Sequence, residues 1–227
     1  MDAPNLNDLL RQQYDLAAAT HTLAQRVQRL GLPARLPTTG TVRFAVAVPA
    51  NGWFDVLRLD ETYVAFWVAE TGHTMSGTLV GLALRQAIVG RDVTDAGTRI
   101  VPPSEVVARV NRAIIDLDLS APIGFGYGLI DVESGAVTLA RGGIPPPVHW
   151  TGRAEVWHGP APFLGAFDAE FPAHDGQLAP GDRLIIASVG DVTQLADVGS
   201  AQTVQAALAG DDLTPTVLVI CLGEPAG

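Results

Sequence analysis

Three features of the sequence predict an α+β fold with largely antiparallel sheets. Strand-like apolar runs dominate residues 41–222. Helical patterning is confined to the N-terminus, to two stretches between residues 75 and 117, and to residues 201–208, so helices are segregated and do not alternate with strands. Short turn signals join consecutive strand-like runs, among them Asp60-Glu61, Glu133-Ser134-Gly135 and Thr151-Gly152.

Residues 5–30 read as a helix that Asn5, Asn7 or Asp8 can cap and that Gly31 and Pro33 stop. Leu9, Leu16, Leu23 and Leu30 recur every seven residues, with Leu6, Gln13, Thr20 and Val27 on the companion positions. This heptad seam suits either packing on the helix's own domain or a parallel helix dimer, in which Gln13 and Thr20 would weaken the contact but fix its register. Residues 32–40, with two prolines and a glycine, read as a linker. The expected organisation is a helix and linker over residues 1–37, then one domain over 38–227.

Val42, Phe44, Val46 and Val48 alternate along the first strand, and residues 54–59 and 62–69 form the next two. The period changes at Met75: Leu79, Leu82, Ala83, Gln86 and Ile88 suit a helix ending before Gly90. Residues 91–101 read as loop. A second helix follows Pro102-Pro103, with Ser104 as its cap and Val106, Val107, Val110, Ile114 and Leu117 as its apolar stripe. Strands are expected over 124–132, 136–140, 148–150, 154–157, 171–178, 182–187 and 215–222, with the Pro180-Gly181 turn before the sixth of these and a short helix over 201–208.

Composition narrows the function classes. Hydrophobic residues make up 48% and charged residues 17% of the 227, enough for a sizeable core and unlike a disordered chain. The net charge of −10 and 14 scattered basic residues argue against a nucleic-acid partner. The single Cys221 excludes an internal disulfide framework and sits in an apolar run as a small hydrophobe. No apolar run approaches the ~20 residues that span a bilayer, so the expected location is the cytoplasm.

Several segments, in order, resemble a known family. Residues 25–37 are similar to its glutamine-rich helix end and leucine-proline linker. Ala50-Asn51-Gly52-Trp53-Phe54-Asp55-Val56 stands where that family has Gly-Gly-Asp-aromatic-Tyr-Asp-Val, and Ala69-Glu70-Thr71-Gly72-His73-Thr74 resembles its Gly-Asp-x-Ser-Gly-His-Gly loop, one residue short. Gly142-Gly143-Ile144-Pro145-Pro146-Pro147 is similar to Ala-Gly-His-Pro-Pro-Pro, and Pro180-Gly181-Asp182-Arg183 to the Pro-Gly-Asp-Arg strand entry. Ser188-Val189-Gly190 takes the place of Thr-Asp-Gly, and Asp211-Asp212-Leu213-Thr214 keeps the closing Asp-Asp-x-Thr. The family is the SpoIIE/RsbU branch of the metal-dependent type-2C serine/threonine protein phosphatases. The resemblance implies an α-β-β-α sandwich of two mostly antiparallel sheets flanked by helices.

It also implies hydrolysis of phosphoserine or phosphothreonine with two Mg²⁺ or Mn²⁺ ions held by a ring of aspartates, because hard cations take oxygen ligands and a paired centre stabilises in-line displacement. At the ring positions this chain has Gly52, Glu70, Val189, and Asp211 or Asp212, with Asp191 two residues beyond Val189. Gly52 and Val189 supply no ligand. The resemblance therefore implies a phosphatase fold with impaired metal chemistry that binds a phosphoprotein or an anti-sigma-factor-antagonist-like protein in partner switching. A working one- or two-metal site on Glu70, Asp191, Asp211 and Asp212, and a dimeric scaffold, are the alternatives. Each candidate also has a plain structural role. Asp55 can brace its hairpin, His73 can be an ordinary loop histidine, Asp191 can cap a helix, and the 211–212 pair can serve a turn. His149, His158 and His174 lack zinc-site spacing.

Overall fold

A computed structural model describes residues 6–49, 52–72, 74–95, 97–117, 123–190, 192, 201–208 and 214–223. Its elements are α1 (Leu6–Gly31), β1 (Val42–Ala47), β2 (Gly52–Arg58), β3 (Tyr63–Glu70), α2 (Met75–Ala87), β4 (Arg91–Thr94), β5 (Gly97–Ile100), α3 (Pro103–Asp116), β6 (Gly124–Asp131), β7 (Ala136–Gly142), β8 (Val148–Trp150), β9 (Ala154–Val156), β10 (Ala173–Gln177), β11 (Arg183–Ala187), α4 (Ala201–Leu208) and β12 (Val217–Leu222).

Two five-stranded sheets carry the fold, in the orders β1-β12-β11-β8-β9 and β10-β7-β6-β3-β2, with every pairing antiparallel. Period-two alternation decides which residues go where. On β3, Val64, Phe66 and Val68 point at the other sheet and, with Phe54, Ile130 and Leu139 of their own sheet, pack against its Leu184, Leu218 and Ile220. The intervening Ala65, Trp67 and Ala69 join Phe125 and Tyr127 against Leu84 of α2 and Val106, Val107, Val110 and Ile114 of α3. The outer face of the first sheet packs Val148, Ile185, Val217 and Val219 on Ala201 and Val204 of α4. Helices therefore cover both outer faces, and the expected α-β-β-α sandwich is the architecture. Each fully buried Val, Ile, Leu or Phe in these rows contributes roughly 1.5–3 kcal/mol.

Turn chemistry fixes the connections. Asp60 Oδ1 accepts the N–H groups of Thr62 and Tyr63 in the β2–β3 turn, and Asp131 Oδ1 accepts those of Glu133 and Ser134 before Gly135 at φ 76° in the β6–β7 turn. The Pro180-Gly181 turn leads from β10 in one sheet to β11 in the other, so these consecutive strands do not pair.

Three expectations need correction. Residues 91–101 are not loop: β4 and β5 pair as a separate hairpin. Its Val93 is 87% exposed and only Ile100, at one end, packs partly on the helix-side core, so the hairpin leaves no alternating hydrophobic pattern. Charge ties it to α3, with Arg99 on Glu105 at 2.8 Å and Arg109 on Asp92 at 2.6 Å, while Arg99 also pairs with Asp92 across the hairpin at 2.5 Å. The second helix is not capped by Ser104. Pro102 is its N-cap residue, with no side-chain bond, and Pro103 opens the helix. Proline at that position has no N–H needing a partner. The strand expected over 171–178 shortens to β10, because Phe171 turns into the helix-side core and Leu178 into the inter-sheet core.

On α1, Ala24, Gln28 and Gly31 are the buried positions among the described residues and face the domain. Leu16, Leu23 and Leu30 of the heptad seam are 68%, 53% and 86% exposed.

Candidate functional site

The site forms where the ends of both sheets meet. In the antiparallel register of β2 and β3, Gly52 stands opposite Glu70, and in that of β3 and β6, Glu70 stands opposite Gly124. A carboxylate thus lies between two glycines, on the face of β3 that Val68 and Phe66 share. From the other sheet, Ser188 follows β11 and Thr216 precedes β12. Ser188 N–H donates to Thr216 O at 2.9 Å, and Thr216 N–H donates back to Ser188 Oγ at 2.9 Å. With its lone pair so engaged, the Ser188 hydroxyl turns its proton to Glu70 Oε2 at 3.2 Å. A hydrogen-bond relay therefore links the two sheets across the site, and its polar members are buried or half-buried.

Gly52 is closed to any side chain. A Cβ there would lie 1.8 Å from Thr216 Oγ1 and 2.8 Å from Pro49 Cδ. Thr216 is fully buried, and its hydroxyl has no hydrogen-bond partner among the described residues. That hydroxyl occupies the space into which a residue-52 side chain would project.

Helix α1 anchors the same strand end. Gln28, 2% exposed, donates its amide N–H groups to Gly52 O and, at 3.3 Å, to Pro49 O. Trp53, on the opposite face of β2, lies against Gly81 of α2 and Gly31 of α1, where added Cβ atoms would sit 2.0 Å and 2.7 Å from its ring. Asp55 shares that helix-facing side. It is 2% exposed, and its Oδ2 lies 3.2 Å from Arg85 Nη2, while Arg85 Nη1 donates to Gly31 O. Burial raises the Asp55 carboxyl above its usual 3.8, opposed by the Val56 N–H and by Arg85. Asp55 and Arg85 thus tie β2, α2 and α1 together, away from the face that carries Glu70.

Of the sequence candidates, Gly52 and Glu70 come together as neighbours, and Val189 follows Ser188 half-buried at the end of β11. Asp55 stands on the other face of β2. His73, Asp191, Asp211 and Asp212 lie outside the described residues. No group of three or more His, Cys, Asp or Glu able to hold a metal occurs among the described residues. Among the described residues Glu70 supplies one carboxylate and Val189 none, and the Thr216 hydroxyl occupies the side-chain space of position 52. Sequence reasoning missed Thr216 and Arg85, whose roles come from pairing of distant elements. The buried Gln28 lies within the segment 25–37, whose resemblance to the family's glutamine-rich helix end was the available signal.

No curated protein sequence matches the chain. The solved structures it resembles include the SiaA-PP2C domain of Pseudomonas aeruginosa, at TM-score 0.66 and 17% identity over 94% of this chain and 99% of that one. The RsbU and RsbW domains of Rv1364c from Mycobacterium tuberculosis match at TM-score 0.62 and 19% identity, over 85% of this chain but only 64% of that one. RsbX in complex with magnesium matches at TM-score 0.59 and 12% identity, over 82% of this chain and 97% of that one. At these identities the likeness is one of fold. The family model described as stage II sporulation protein E matches residues 60–214, well over half of the sequence. It spans β3, the glycine-flanked Glu70, the sheet-joining Ser188 and the run towards β12, and the chain belongs to the SpoIIE family of PP2C-type phosphatase domains.

Proposed function

We propose that this domain is a pseudophosphatase: it keeps the SpoIIE/RsbU-like phosphatase fold and acts by binding a protein partner, with its metal-dependent chemistry impaired. The observation that carries this reading is position 52. The residue lacks a ligand atom, and the Thr216 hydroxyl fills the space a ligand would need, 1.8 Å from where a Cβ would lie. A carboxylate there would require Thr216 to move and would stand directly opposite the Glu70 carboxylate. Val189 removes a second ring position, and Glu70 already accepts a hydrogen bond from the Ser188 hydroxyl.

The partner expected from the family is a phosphoserine- or phosphothreonine-bearing protein, or one like an anti-sigma-factor antagonist, bound in partner-switching signalling. Support comes from the relative whose solved chain carries RsbU and RsbW domains together. The acidic charge of −10 fits a protein partner better than nucleic acid. No helix among the described residues is long and apolar enough to cross a membrane. The organisation we propose is a coupling helix and linker over residues 1–37 and a phosphatase-fold domain over 38–227. The exposed Leu16, Leu23 and Leu30 of α1 favour a homodimer through that helix.

Titration calorimetry with Mn²⁺ and Mg²⁺, followed alongside by thermal unfolding, tests the reading. Absence of saturable heat at millimolar metal and an unchanged melting temperature are expected. Tight binding that raises the melting temperature, together with turnover of a phosphoserine protein that Glu70→Ala or Asp212→Ala abolishes, would overturn it. That outcome would establish the second reading, an active Mg²⁺- or Mn²⁺-dependent phosphatase with a rearranged site. The retained Glu70 carboxylate favours this alternative.

A further inference from the structure

We propose that a cavity between the β7–β10 edge and the segment after β9 binds a small oxyanion, either inorganic phosphate or a small carboxylate. The cavity measures about 170 Å³ and is lined by Arg141, Trp157, His158 and His174. Neither Asp nor Glu lines it, in a chain with 24 acidic and 14 basic residues.

Arg141 is the central group. It is 8% exposed, and its guanidinium donates to Ile144 O at 2.7 Å and to Gly159 O at 2.8 Å. Those bonds use two of five N–H donors. No carboxylate among the described residues pairs with it, and burial lowers its pKa with no acidic neighbour acting against that shift. A buried cation bonded only to neutral carbonyls keeps most of its desolvation cost, which an anion bound beside it would offset. A clamp on two carbonyls needs no charge, since a neutral amide also donates to carbonyls. The charge itself is what the clamp leaves unused.

The walls are prearranged. The Trp157 ring stacks on His174 at 4.5 Å and 20°, and the His149 ring meets it edge-on at 6.0 Å. His149 is held in turn by Asp182 at 2.9 Å. Pro147, Pro160 and Pro172 complete the rim, so little conformational freedom remains to be lost on binding. The volume lies below the roughly 300–1,000 Å³ of ordinary small-molecule pockets, which restricts the occupant to a few heavy atoms. Arg141 stands opposite Gly126 on the inter-sheet face, while Glu70 stands opposite Gly124, and the Ile144 side chain packs over both glycines between them. The cavity is therefore separate from the Glu70 site, and the proposal does not depend on whether that site binds metal.

The test is a ¹H–¹⁵N NMR titration of the full chain with inorganic phosphate and, separately, with acetate. It reads the Trp157 indole N–H, assigned with Trp157→Phe. Saturable shifts at millimolar anion are expected, and the anion that saturates at lower concentration identifies the source. Arg141→Gln should abolish them. His158→Ala, at an exposed side chain, should weaken binding by roughly ten- to a hundredfold, the loss of one charge-assisted hydrogen bond. Glu70→Gln should leave the shifts unchanged. If Arg141→Gln unfolds, His158→Ala decides alone. No saturable shift with either anion, or shifts of equal midpoint in the His158→Ala protein, would overturn the proposal.

Discussion

Substitution of Gly52 by alanine isolates the contact on which the functional reading rests. The new methyl would meet Thr216 Oγ1 at 1.8 Å and Pro49 Cδ at 2.8 Å. Neither neighbour yields freely, because Thr216 is fully buried and its N–H is bonded to Ser188. Overpacking of this kind costs about 1–3 kcal/mol. For a domain of this size each kcal/mol lowers the melting temperature by about 2–4 °C, so Gly52→Ala should melt about 2–12 °C lower. Thr216→Ala should be neutral to stabilising, by up to about 2 kcal/mol. It loses roughly 0.8 kcal/mol of methyl burial but also removes a buried hydroxyl that has no partner among the described residues, itself a penalty of about 1–3 kcal/mol. In the double variant the methyl added at position 52 enters the space the hydroxyl vacates. The two substitutions should therefore couple favourably by about 1–2 kcal/mol. The assay is urea unfolding of wild type, both single variants and the double variant, completing a double-mutant cycle. Strict additivity, or a Gly52→Ala protein as stable as wild type, would refute the claim that Thr216 occupies the side-chain space of residue 52.

Other outcomes follow from the same neighbourhood. Gln28→Ala leaves Gly52 O and Pro49 O without their donor and should cost about 1–3 kcal/mol, with faster amide exchange at the C-terminal turns of α1. Asp55 titrates above 3.8 in the fold, so its contribution favours folding below that pH and is lost as pH rises through the raised value. The stability of wild type relative to Asp55→Asn should accordingly fall with rising pH across that window. A relative stability that rises instead would mean that Arg85 outweighs burial. Leu16→Asp with Leu23→Asp, both at exposed positions, should convert a homodimer to a monomer in analytical ultracentrifugation without lowering the monomer's melting temperature.

The sequence alone determined the fold class, because period-two alternation with segregated helices admits few arrangements, and nearly every strand of both sheets lies where that pattern puts it. It also determined that Gly52 and Val189 cannot be side-chain ligands, since neither side chain offers an oxygen. Tertiary structure decided what the pattern could not carry. The β4–β5 hairpin buries little beyond Ile100, so its strand pairing and its ion pairs with α3 reveal it where hydrophobic pattern does not. The closure of position 52 depends on Thr216, far away in the chain but adjacent in space because the β1–β12–β11 sheet folds onto β2 and β3. Asp55 and Glu70 look alike in sequence as acids near one hairpin, yet pleat parity sends one to the helices and the other to the sheet junction. Arg141 is, in the sequence, one of 14 scattered basic residues. Only the packing of Ile144, Trp157 and the proline rim around β7 buries its charge without a carboxylate, because burial is a property of the assembled layers and not of any local run of residues.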